Sequence, residues 1–146
     1  MHTEHISNLH PGWVVGGWLV AVAVASAVFL VLVGAGLLPT GAGEMIGSGA
    51  ALAVCLFAGG LFVGMSWSDA PVLHGVAITL LSVLVWFASA LLVPGALAGS
   101  LREEDAAFVL GAILLQLVAT VAGGLAGRAL VLRGQTPDPV AMLPEA

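Results

Sequence analysis

Few side chains in this sequence can do chemistry, and they are scattered. His74 closes the phrase "APVLH", Ala70 to His74, at the start of an apolar run. A neutral imidazole there is either a hydrogen-bonding group at the edge of a helix or a ligand for a metal, including the metal of a tetrapyrrole. Gln116 is the one amide in the middle of an apolar run. A carboxamide in that setting serves as hydrogen-bonding glue between helices, or as a polar contact on a transport path. Cys55 is the single cysteine and falls inside an apolar run, where it reads as a small core residue and can form no intrachain disulfide. His2, His5 and His10 precede the first apolar run with irregular spacing, which fits no metal-ligand pattern.

What is missing bears on reaction class. The sequence contains no H-E-x-x-H, no G-x-S-x-G, no Walker loop and no Cys and His cluster at ligand spacing. No Asp, Glu or Lys falls in the central part of an apolar run, although proton and ion paths are usually built from such groups. These absences argue against an enzyme and against a proton-coupled pump.

The elements that would position His74 and Gln116 follow from composition. Of 146 residues 60% are hydrophobic and only 8% charged, far below the charged share of a soluble domain. Four apolar stretches each reach the length of about 20 helical residues that a bilayer core requires. The expected fold class is therefore all-α, a polytopic membrane protein of four transmembrane helices in contact with membrane lipids.

Helix 1 is expected from Pro11 or Trp13 to Leu38, capped by Ser7 or Asn8, with Pro11 in its first turn. The segment before it has no Lys or Arg, and at about 25 residues the run exceeds the h-region of a signal peptide, so it reads as a retained span. Helix 2 is expected from Glu44 to Met65. Asp69 is placed to cap helix 3, which holds Pro71 just inside and ends near Val93. Ser100 and Glu103 form a capping-box pattern before helix 4, which runs to about Leu132. The organisation is a polar N-terminal segment over 1–10, a first transmembrane hairpin over 11–68, a second over 69–133 and a mobile tail over 134–146.

The formal charge of −5, with three arginines and no lysine, leaves no basic patch for nucleic acid. An even number of spans puts both termini on one side, with Arg128 and Arg133. Arg102 lies on the other side among Glu44, Glu103, Glu104 and Asp105, so the positive-inside rule favours cytoplasmic termini. Arg128 and Arg133 would anchor that interface together with Trp13 and Trp67, and Trp18 lies within two turns of it, whereas Trp86 falls deeper.

A repeat organises the spans. Ala58, Gly59, Gly60 and Leu61 recur 64 residues later as Ala122, Gly123, Gly124 and Leu125, and at the same offset Leu9 and His10 match Leu73 and His74. This predicts two tandem helical hairpins of one orientation, related by a pseudo-twofold axis along the membrane normal. Gly60 with Gly64, and Gly123 with Gly127, are GxxxG pairs. Small residues at that spacing let helix backbones approach within the chain or against another subunit.

Two resemblances add to this. "APVLH" resembles the A-x-x-x-H pattern of bacterial antenna polypeptides, which would imply bacteriochlorophyll ligation by His74 with Ala70 making room for the ring. "HPGWVVGGWLVAVAVA", "AGGLFVG" and "LHGVAITLL", between about residues 10 and 93, are similar to a broad group of small bacterial four-helix membrane proteins without an established activity. That likeness implies a multi-pass protein of the bacterial cytoplasmic (inner) membrane. The leading functional expectation is a non-catalytic accessory subunit that packs on other integral membrane subunits of a larger complex. A photosynthetic or respiratory assembly, with bacteriochlorophyll or haem near His74, is the first candidate. The alternative is a small homo-oligomeric transporter or channel.

Overall fold

The computed structural model describes residues 6–37, 42–67, 69–92 and 103–134. It is all-helical over these residues, with a short 3-10 turn, Ile6–Asn8, followed by α1 (Pro11–Gly34), α2 (Ala42–Ser66), α3 (Pro71–Leu92) and α4 (Glu103–Gly134). All four helices are long and apolar enough to cross a membrane. In α1 the apolar residues cover every face rather than one stripe, as expected of a helix surrounded by hydrocarbon or protein on all sides. The 32 residues of α4 span ~48 Å at the helical rise, longer than the ~30 Å hydrocarbon core, so its acidic first turn can lie outside the membrane.

Two ends of α1 differ from expectation. Neither Ser7 nor Asn8 caps the helix. The 3-10 turn uses both residues, His10 occupies the cap position without a side-chain cap bond, and the fixed φ of Pro11 opens the first turn. The far end stops at Gly34 rather than Leu38, because Gly36 adopts φ +66°. With that residue left-handed, the Gly36 N–H bonds Val33 O at 3.1 Å and the Leu37 N–H bonds Leu32 O at 2.9 Å, a Schellman cap. At α3 the helix opens at Pro71, and Ala70 rather than Asp69 is the residue before it; Ala70 O accepts the His74 N–H. The Ser100 cap and the 135–146 tail lie outside the described residues.

The most extensive contact is between α2 and α4. α1 lies on α2, and α3 lies on α4. Val14, Ala21, Leu56, Val63 and Ile78 form the buried core, with Leu9, Trp13, Trp18 and Phe62 packed around it. These residues come from the first half of α1 and α3 and the second half of α2, so the core sits towards the end of the bundle that carries the α2–α3 turn.

Candidate functional site

That end is held shut by backbone contact. A Cβ at Gly60 would overlap the carbonyl oxygen of Thr120, and one at Gly64 the carbonyl oxygen of Gly124. From the other side, Gly123 and Gly127 lie on the backbones of Phe57 and Leu61. Gly59 packs on Gly17 and Ala21 of α1, and a Cβ at Gly124 would lie 3.0 Å from Pro71 O of α3. Gly75 closes the α3–α4 seam on Val121. All six glycines singled out in the sequence thus face neighbours within the chain. The correspondence between hairpins is incomplete here, because Gly59 meets α1 whereas Gly123, 64 residues later, meets α2.

Polar groups reinforce the same end. His74 is 1% exposed. Its Nε2 lies 3.3 Å from the His10 backbone nitrogen, and its Nδ1 lies 2.8 Å from Ala70 O. An amide N–H can only donate, so Nε2 accepts, and the ring proton must sit on Nδ1 and be donated to the Ala70 carbonyl. Both nitrogens of the neutral ring are therefore engaged, and axial ligation of a metal would require release of the His10 amide. Ala70, instead of leaving room for a macrocycle, is fully buried. The His10 ring lies against Trp67, tilted by 38° with centroids 4.4 Å apart. The indole Nε1 of Trp67 is buried without a hydrogen-bond partner among the described residues. Trp13 tilts against Phe62 at 6.1 Å. Arg128 is half-buried near the end of α4, and Arg133 is exposed in its last turn, where a cation opposes the helix dipole.

Two threonines complete the seal. Thr79 of α3 and Thr120 of α4 share a hydrogen bond of 2.8 Å and are both buried. With one proton each, one hydroxyl donates to the other, and the accepting threonine donates within its own helix, Thr79 to Gly75 O at 3.1 Å or Thr120 to Gln116 O at 2.9 Å. Sequence reasoning did not single these residues out. The available signal was their type, since a hydroxyl inside an apolar span must bond a carbonyl of its own helix or a neighbour.

Beyond this seal the helices part around a cavity of about 650 Å³. All four helices wall it, among them Trp18 of α1, Cys55 of α2, Ser82 and Trp86 of α3, and Ala112 and Gln116 of α4. Cys55 is a buried free thiol, as expected of a small core residue. Gln116 is half-buried, and only its main-chain carbonyl is bonded. Its carboxamide, expected as interhelical glue, has no partner among the described residues and borders the cavity instead. Among the described lining residues none is Asp, Glu, Lys, Arg or His. The space can hold a small, uncharged molecule and offers it indole faces, one hydroxyl and one amide.

Against known proteins, no family model, no curated protein and no solved structure matches this chain.

Proposed function

We propose that the chain works as a small, non-catalytic membrane transporter whose bundle holds its cargo in the central cavity. The observation that carries this reading is the cavity itself, which is walled by all four helices and stopped at one end by the glycine seams and the His10–His74 bond. Transporters commonly place their site near the bilayer midplane between repeated units. Gln116 lies near the middle of α4, and the recurrence of the glycine block and the His pair supports two tandem hairpins as those units. Arg128 and Arg133 support cytoplasmic termini in a bacterial inner membrane.

Alternating exposure of one cavity residue to the two faces of the membrane tests this. In a Cys55→Ala background, Ser82→Cys should react with a membrane-impermeant maleimide in both right-side-out and inverted vesicles. Labelling from one face only, under every condition, would contradict transport.

A second reading is an accessory subunit of a larger membrane complex, photosynthetic or respiratory. Since the glycine faces are spent inside the chain, such a partner would have to meet large side chains. Its contact surface would be the exposed Phe29, Leu30 and Val31 of α1 and Leu84, Phe87 and Leu92 of α3. Mild-detergent purification from the native host should then recover stoichiometric large chains.

A further inference from the structure

We infer that the cavity takes a neutral, mostly apolar molecule that carries a single hydrogen-bonding group, a hydroxyl or carbonyl, and that this group pairs with the Gln116 carboxamide. The inference rests on the cavity being a cargo site, and it names the class of that cargo. Three observations converge on it.

The first is the lining, in which the described residues supply no charged group to neutralise an anion or cation. An ion placed there would lose its hydration without compensation. The second is Gln116, a half-buried amide at mid-span that bonds no described side chain or backbone through its carboxamide. In hydrocarbon an amide is costly to leave unpaired, and the molecule that fills the cavity is the available partner. A carboxamide both donates and accepts, so it can serve either a hydroxyl or a carbonyl. The third is size and surface. About 650 Å³ bordered by Trp18, Trp86 and small residues of α1 and α4 fits a lipid-soluble body of terpenoid or fatty-alcohol dimensions.

The test uses the full chain in nanodiscs and three matched probes with one twelve-carbon body: 12-bromododecanol, 1-bromododecane and 12-bromododecanoate. Bromine quenches indole fluorescence on contact, and Trp18 and Trp86 border the cavity. The bromoalcohol should quench saturably, and Gln116→Leu should weaken its apparent affinity about fivefold to tenfold, the loss of one hydrogen bond. Gln116→Met, closer in shape, should do the same and covers a folding failure of the first variant. On both variants the alcohol should fall to the level of bromododecane, which the substitutions leave unchanged. Ala112→Phe should remove the saturable phase, and the carboxylate should bind wild type at least tenfold more weakly than the alcohol. Equal affinity of wild type for alcohol and alkane, tighter binding of the carboxylate, or unchanged binding by Ala112→Phe would each overturn the inference. The two proposals separate cleanly. Alcohol binding with Ser82→Cys reactive from one face only sinks the transporter and keeps the ligand class, whereas labelling from both faces without alcohol preference does the reverse.

Discussion

The two halves of this bundle are built from the same kinds of apolar residue, yet one is sealed and the other opens into a cavity. The difference lies in where glycine meets backbone. In the sealed half, Gly17, Gly59, Gly60, Gly64, Gly75, Gly123 and Gly127 each lie where a Cβ would overlap a neighbouring helix. In the cavity half, Gly34, Gly49 and Gly111 have nothing within 4 Å of such a Cβ. Lipid tails are as apolar as the side chains they would replace, so burial alone does not drive these helices together. Close packing and interhelical hydrogen bonds do. The sealed half has both, through its glycine seams, the threonine pair and the His10–His74 bond. Without such seams among its described residues, the helices of the other half part around the cavity.

Substitutions that exchange the properties of the two halves should break this contrast in a definite order. The largest effect is expected from Gly64→Val, which sets a branched side chain against the Gly124 backbone. Neither helix can yield without opening the α2–α4 seam, so reversible unfolding in mixed detergent micelles should show a loss of about 4 kcal/mol or more.

His74→Ala comes next. It empties a fully enclosed site and strands the His10 amide, at a cost of about 2 to 3 kcal/mol in the same assay. Thr120→Val should cost about 1 kcal/mol, and a double-mutant cycle with Thr79→Val should return a coupling of about 0.6 kcal/mol, typical of membrane hydrogen bonds. The smallest effect has the opposite sign. Gly111→Ala meets no neighbour and restores helix propensity, so it should stabilise by about 0.5 kcal/mol. A loss at Gly111 equal to that at Gly64 would remove the distinction between the halves.

The spans themselves were legible because twenty-residue apolar runs have few other fates. The turn between α2 and α3 was readable from Asp69 and Pro71, and the turns expected over 38–41 and 93–102 lie outside the described residues. The early stop of α1 was not, since Gly36 is one of several glycines in an apolar stretch and only its left-handed φ marks it as the terminator. Pro11 was rightly placed in the first turn, but the cap before it fell to His10 because the 3-10 turn consumed Ser7 and Asn8.

At the site, the matching of His10 with His74 was visible as a repeat. Their hydrogen bond was not, because a sequence offset does not say whether two copies meet. The GxxxG pairs were visible as well, while the choice between internal and external packing depended on helix rotation. The cavity was the least accessible feature. It depends on how far four helices stand apart, which no single residue encodes, and Gln116 was its one foreshadowing.

Spin-label distances across α2 and α4 test the contrast most directly. In a Cys55→Ala background, one pair would carry labels at Met65→Cys and Leu125→Cys in the sealed half, and a second at Ala50→Cys and Leu110→Cys in the cavity half, all at exposed positions. The expected result is a narrow distribution for the first pair and a distinctly broader one for the second, which narrows when 12-bromododecanol is added. Equally narrow distributions for both pairs, unchanged by the alcohol, would contradict the division of the bundle into a glycine-sealed end and a cavity end.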